Sequence, residues 1–212
     1  MTNPFDCVVF DVGNVLIRWA PQNLYRKLGY SDEATASVLA ETKLLEVNHR
    51  ELDAGAPFGP TLERLARRFP QHAAFISAFD RRWMDMLGGA ITPNVAILAA
   101  LRRAGIPVHA ITNFSREKFD ETRRVFAFLD TFDECVVSGD LGLVKPEPEI
   151  FEHLVLKRGL APARAVFIDD SAANIATAVG LGFKAVHYAE ATVDLAHELQ
   201  HLGMPSSTLG RA

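Results

Sequence analysis

The sequence predicts an α/β fold, a doubly wound parallel sheet with an all-helical cap inserted near its start. Three observations carry this. Short apolar runs alternate with helical patterns over residues 88–204, as in a sheet whose parallel strands are joined by crossover helices. Two runs end abruptly at carboxylates: Val8-Val9-Phe10 at Asp11, and Ala165-Val166-Phe167-Ile168 at Asp169-Asp170. Residues 19–87, directly after the first run, hold several helical segments and no convincing strand.

The elements follow in order. Cys7–Phe10 is continuously apolar, as a strand buried on both faces requires. Pro21–Leu28, Asp32–Thr42 and Pro60–Arg68 read as helices, with Asp53-Ala54-Gly55-Ala56-Pro57 as a break midway. Thr92-Pro93 opens a helix, with Thr92 as its cap and Gly105 as its stop. Its packed face is Val95, Leu98 and Leu101. Val108–Ile111 and Glu134–Val137 are the next strands. Pro148 then opens a helix striped by Ile150, Phe151, Leu154 and Val155 and stopped by Gly159. After Ala165–Ile168, Ser171 caps the helix Ala172–Leu181, and Lys184–His187 is the last strand. This divides the chain into a core of residues 1–18 and 88–204, a cap of residues 19–87, and a flexible tail of residues 205–212.

The composition narrows the function classes. At 212 residues and 49% apolar content, the chain suits one α/β domain with an insertion. The net charge of −4, with no basic block, gives nucleic acid no purchase. No apolar run is long enough to span a membrane, and no signal-peptide pattern opens the chain, so a cytoplasmic setting is expected. Cys7 and Cys135 lie in apolar runs and read as reduced core thiols. No motif speaks to oligomeric state.

Four elements end at one edge of the expected sheet, where open α/β sheets place ligands. They are Asp11, Thr112-Asn113, Lys145 after a glycine-bearing loop (Gly139, Gly142), and Asp169-Asp170. Together they offer a nucleophile, a hydroxyl and amide donor, a fixed cation and a metal-binding carboxylate pair, which is what phosphoryl transfer needs. Mg²⁺ prefers one or two carboxylates plus waters and substrate oxygens. Asp11 with one or both of Asp169 and Asp170 fits that preference. Lys145 can also hold Asp11 ionised beside an incoming anion.

The order Phe-Asp-x-x-Asn-Val, Ile-Thr-Asn, Val-Lys-Pro and Ile-Asp-Asp-Ser-x-x-Asn resembles the haloacid dehalogenase (HAD) superfamily over nearly the whole chain. It is most similar to the branch with a helical cap between the first two motifs. The resemblance implies a HAD-like Rossmannoid core and an enzyme acting on a small phosphorylated metabolite with Mg²⁺. It makes Asp11 the nucleophile that forms an aspartyl-phosphate, and Lys145 the stabilising cation. Thr112 and Asn113 would bind the phosphoryl group. Apart from the resemblance, Asn14 and Arg18, in and just after the first motif, are further candidate substrate contacts. Asp11, Asp169, Asp170 and the Gly13 carbonyl would hold the metal, and Asn174 would steady their loop.

Position 13 departs from the pattern. Phosphatases of the family usually carry a second Asp there as general acid and base, worth typically ~10²–10⁴-fold. Gly13 has no proton to give. Sugar-1-phosphate phosphatases resemble this chain in an Asp-x-Gly-Asn-Val form, and an anomeric phosphate leaves more readily than an ordinary alcohol. A sugar-1-phosphate is therefore the leading substrate expectation. One alternative is a metal-independent 2-haloacid dehalogenase, whose fourth motif resembles Ser-Ser-Asn rather than Asp169-Asp170. The other is a non-catalytic phosphate-binding or regulatory protein, which Gly13 leaves open.

The remaining signals are weaker. Trp19, His49, Arg50, Arg81, Arg82 and Trp83 could reach substrate from the cap. Arg81 and Arg82 read better as a solvated face, and the tryptophans as packing. Arg18 stands out because it leaves the first motif's loop. His197-Glu198-Leu199-Gln200-His201 matches a zinc-protease pattern, but no third ligand follows. Val193, Leu195, Ala196 and Leu199 make it an ordinary amphipathic helix.

Overall fold

The computed structural model describes residues 5–209. Its strands are β1 (Cys7–Phe10), β2 (Ile17–Trp19), β3 (Leu87–Ala90), β4 (Val108–Thr112), β5 (Glu134–Val137), β6 (Ala165–Asp169) and β7 (Lys184–His187). Five form one sheet in the order β5-β4-β1-β6-β7, every pair parallel. Every residue of β1, β4 and β6 is buried, which is why these segments read as unbroken apolar runs.

The side-chain alternation of β1 feeds two packed layers. Val8 and Phe10 join Leu98, Leu101, Val166, Ile168, Leu195 and Leu199. Cys7 and Val9 join Ile111, Phe151, Leu154, Phe167 and Phe183 on the other side. The chain winds from β1 through β4 to β5, then crosses back to β6 and β7. The switch point therefore falls between β1 and β6, and a crevice opens at their carboxyl ends.

Several local signals act as expected. Gly159 ends the helix Pro148–Arg158 at φ 63°, and the Ser171 hydroxyl accepts from the Asn174 amide. Others need correction. Thr92 is the first helical residue and not a side-chain cap; Ile91 precedes it, and Pro93 supplies the start signal. The tail expected from residue 205 packs instead. Ser206–Leu209 form a single turn, and Met204 and Leu209 are buried among the core side chains. Residues 210–212 of that tail lie outside the described residues.

Residues 21–86 form the helical insert, with helices Pro21–Lys27, Asp32–Thr42, Leu44–Val47, Phe58–Arg68 and Ala73–Arg81. The chain leaves and re-enters the sheet through an antiparallel ribbon of β2 and β3, which the sequence pattern does not reveal. Three residues (Ile-Arg-Trp) and the partly exposed Leu-Gly-Gly-Ala are too short and too mixed to show a strand period.

The insert does not have a core of its own. Leu24, Phe58, Phe75, Phe79 and Trp83 pack in one cluster with Val12, Ala110, Phe114, Phe119 and Val137 of the sheet layer. A second seam is polar and close. Ser138 Oγ donates to the Asp53 carbonyl at 2.5 Å and accepts from the Phe114 amide at 2.8 Å. Gly55 sits at φ +96°, and a Cβ there would lie 2.6 Å from the Gly139 carbonyl oxygen. Only glycine allows this approach. The loop that follows Asp53 is thereby seated on the core.

Among the described residues, no helix is long and apolar enough to cross a membrane. Cys7 and Cys135 are both free, and burial pushes their thiols up to about 11 and about 12, which keeps them protonated and inert.

Candidate active site

A cavity of about 410 Å³ lies at the carboxyl edge of β1, β4 and β6, beneath the insert. Asp11, Gly13, Thr112, Lys145 and Asp170 line its sheet side; Asn48, His49, Asp53 and Trp83 line its insert side.

Lys145 is the centre of the floor. It is 1% exposed, and its Nζ lies 2.8 Å from Asp11 Oδ1 and 2.7 Å from Asp169 Oδ2. Asn113 fixes its backbone at both ends. The Asn113 Nδ2 donates to the Lys145 carbonyl at 2.9 Å, and its Oδ1 accepts from the Lys145 amide at 2.8 Å. The Asn113 side chain, expected on substrate, is thus engaged in holding the lysine.

The adjacent carboxylates do different work. Asp169 is fully buried and does not line the cavity. Its Oδ1 accepts from the Ser171 amide (2.8 Å) and Asn174 Nδ2 (2.9 Å), and its Oδ2 from Asn174 Nδ2 (3.0 Å) as well as Lys145. Asp170 lines the cavity and accepts from Asn14 Nδ2 at 3.1 Å. Asn14 takes a left-handed φ of 52°, and its Oδ1 accepts from the Trp19 amide at 3.0 Å. Asn14 therefore orients Asp170 directly. Thr112 lines the cavity, and its hydroxyl has no partner among the described residues.

Two of three clustered carboxylates, Asp11 and Asp169, share the Lys145 ammonium, and ligand oxygens of Asp11, Asp169 and Asp170 lie within 4.8 Å of one another. Burial raises the Asp11 carboxyl above the ordinary carboxylate range; Lys145 opposes this, and Asp169 adds to it. Burial likewise raises Asp170, against the hydrogen bond from Asn14. Burial opposes the Lys145 charge, but Asp11 and Asp169 outweigh it and hold the lysine protonated. This surplus of negative charge on hard oxygen donors fits a divalent cation.

Arg18 does not reach the site. Strand alternation turns Ile17 and Trp19 toward the cavity and Arg18 away. Its guanidinium pairs with Glu190 and the Ala90 carbonyl. Arg50 pairs with Glu46 and Arg82 with Asp85, and Arg81 bonds Ser77 within its own helix. Trp19, Trp83 and His49 do line the cavity. His197 and His201 are exposed on a helix whose Leu195, Ala196 and Leu199 face the core, away from this cavity.

Sequence reasoning misses Asp53, which shows there only as part of a helix break. The carboxyl is buried and its Oδ2 accepts from Asn48 Nδ2 at 3.0 Å. Burial, and then the charge of Asp11, push it up to about 7. A folded pKa above the unfolded 3.8 means that ionisation disfavours the fold. The stability contribution is complete below about 4 and is lost as pH rises toward 7. Asp53→Asn removes that loss, so in urea unfolding its stability advantage over the parent grows from pH 5 to pH 8. An advantage independent of pH contradicts this.

A parallel sheet whose switch-point crevice holds an acidic cluster beneath a helical insert is a capped α/β fold with its ligand site at the switch point. The model of haloacid dehalogenase-like hydrolases matches residues 5–182, and the chain belongs to that family. A sesquiterpene phosphatase of Aspergillus oryzae is 24% identical over 194 residues, 88% of this chain and 91% of that protein. A phosphoglycolate phosphatase of Cupriavidus necator is 32% identical over 111 residues, 50% of this chain and 48% of that protein. Among solved structures, a HAD family enzyme of Bacteroides thetaiotaomicron in complex with magnesium and inorganic phosphate superposes with TM-score 0.71. It is 21% identical, covering 92% of this chain and 98% of that one. An L-2-haloacid dehalogenase of Xanthobacter autotrophicus superposes with TM-score 0.63 at 19% identity, over 97% and 86%. The protein is a phosphatase-type hydrolase of this family.

Proposed function

We propose that the protein is a Mg²⁺-dependent phosphomonoesterase that works through an aspartyl-phosphate on Asp11. The observation that supports it best is the buried Lys145 bridging Asp11 and Asp169 at the floor of an acidic cavity. Lys145 and the Val12 amide (2.7 Å) hold Asp11 Oδ1, while Oδ2 has no partner among the described residues and is free to attack phosphorus. The Thr112 hydroxyl donates to a phosphoryl oxygen. Asp169, Asn174 and Asn113 keep the Lys145 ammonium in place. Asp11, Asp170 and the Gly13 carbonyl are the groups that would hold the metal, which neutralises phosphoryl charge when bound.

The walls favour one class of leaving group. Beyond the floor, Ile17, Trp19, Trp83, Leu87 and Phe114 make an apolar and aromatic wall beside Asn48, His49 and Asp53, and Lys145 is the only Lys or Arg among the described lining residues. This suits an ester whose alcohol is mainly apolar and carries no second anion, in keeping with a relative that is a sesquiterpene phosphatase. The sugar-1-phosphate suggested by the motif finds fewer polar partners. Phosphate release should be measured, with Mg²⁺ and with EDTA, on an isoprenoid monophosphate, hexose-1-phosphates and hexose-6-phosphates. The isoprenoid ester should be hydrolysed fastest, and EDTA should abolish turnover. Faster release from a hexose phosphate refutes the substrate class. Metal-free chloride release from chloroacetate, with no phosphatase activity, refutes the whole reading.

A further inference from the structure

We propose that Asp53, reaching in from the helical insert, is the proton donor and acceptor that position 13 lacks. This rests on the aspartyl-phosphate reading above and deepens it.

Four features of the geometry support it. Asp53 shares the cavity with Asp11, across from the sheet edge. It is held there, because Ser138 donates to its carbonyl and the Gly55–Gly139 contact seats the loop that follows. Its Oδ1 has no partner among the described residues, and no cation pairs with the carboxyl. Finally, Asn48 donates to Asp53 Oδ2 while its own Oδ1 is buried with no acceptor bond made. A buried acceptor left unmade is costly, and a proton on Asp53, whose carboxyl already meets this amide, would offer a donor beside it.

The carboxyl's upward shift to about 7 agrees with a resting acid that can also serve as a base. The other titratable groups of the cavity are less suited. Lys145 is paired twice, Asp11 is the nucleophile, and Asp170 belongs to the metal-competent cluster. His49 is the one rival.

In the first half-reaction an Asp11 oxygen bonds to phosphorus as the bond from phosphorus to the leaving oxygen breaks. The Asp53 proton goes to that oxygen, which departs as an alcohol. In the second, water attacks phosphorus and gives a proton to the Asp53 carboxylate. The bond from Asp11 to phosphorus breaks, and inorganic phosphate leaves with Asp53 protonated again.

The test compares two esters that differ in their need for an acid: phenethyl phosphate and 4-nitrophenyl phosphate. Nitrophenolate departs without a proton. Asp53→Asn should slow alcohol release from the first by ~10²–10⁴-fold. With the second, the initial burst of nitrophenolate should stay within about tenfold of the parent. The change is isosteric, and unaltered thermal unfolding or a rise at pH 8 reports a folded variant. Gly13→Asp supplies an internal rescue, because a Cβ at Gly13 meets nothing within 4 Å and the backbone there is not left-handed. In the Asp53→Asn background it should restore the phenethyl rate by about tenfold or more.

Equal losses on both esters, no rescue, or the selective loss appearing in His49→Gln instead would each overturn the assignment. An unimpaired nitrophenolate burst from Asp11→Asn is a separate result. It defeats the phosphoenzyme reading itself, whatever Asp53 does.

Discussion

Asp11→Asn should lower phosphate release by on the order of 10⁴-fold or more, because it removes the attacking oxygen without disturbing its surroundings. The amide matches the carboxylate in size, and the Val12 amide and Lys145 remain around it. The fold should not suffer. In the metal-free protein the Asp11 carboxyl is held above its unfolded value of 3.8, so its ionisation costs stability as pH rises from about 4. Asparagine is spared that loss, and the variant should unfold no earlier than the parent at pH 8. Activity lost with stability retained is the expected pair of results, read by phosphate release and urea unfolding on the same preparation. Activity within about tenfold of the parent would remove Asp11 from the chemistry.

Lys145→Met should produce the largest loss of stability, about 3–5 kcal/mol. The lysine is buried between Asp11 and Asp169, and its removal leaves two carboxylates in a poorly solvated place with no cation. The sign with pH follows. Asp11 loses the cation that opposes its rise, so at pH 5 a proton can neutralise it and the loss is smaller. At pH 8 it must ionise inside the fold or stay protonated against the solvent, and the loss is full. Adding Asp169→Asn should recover most of the stability at pH 8 and none of the activity, because Asn174 and the Ser171 amide can still bond the carbonyl of the substituted side chain. A pH-independent loss would mean that packing, not charge, is what Lys145 supplies.

The core was legible because its strands are buried on both faces. Val8–Phe10, Ala110–Thr112 and Ala165–Ile168 have no exposed side to interrupt the run, so the carboxylates that end the first and third, Asp11 and Asp169, are conspicuous. The same logic gathered Asp11, Thr112, Lys145 and Asp170 at one edge. What adjacency in sequence does not tell is which way neighbours point. Asp169 and Asp170 look equivalent in the chain, yet one faces Lys145 and Asn174 and the other the cavity. Asn113 lines the cavity, and its side chain also clamps the Lys145 backbone. Arg18 looks placed for substrate, but the two-residue period of a three-residue strand turns it outward.

Asp53 was missed for a different reason. Its role depends on a contact across 85 residues, from its carbonyl to Ser138, and on a glycine pair that no local pattern links. It also alters the choice of substrate. The preference for an anomeric ester assumed that Gly13 left the site without an acid. An acid supplied from the insert lifts that restriction, and the apolar walls become the stronger guide to the leaving group.

A covalent phosphoryl group at Asp11 is the central claim. Acid quenching during turnover of 4-nitrophenyl phosphate, followed by peptide mapping by mass, reads it directly. The expected result is one phosphoryl group on the peptide that contains Asp11, formed as fast as nitrophenolate and lost as fast as phosphate appears. Full turnover with no adduct on that peptide, or with the adduct on another residue, would contradict it.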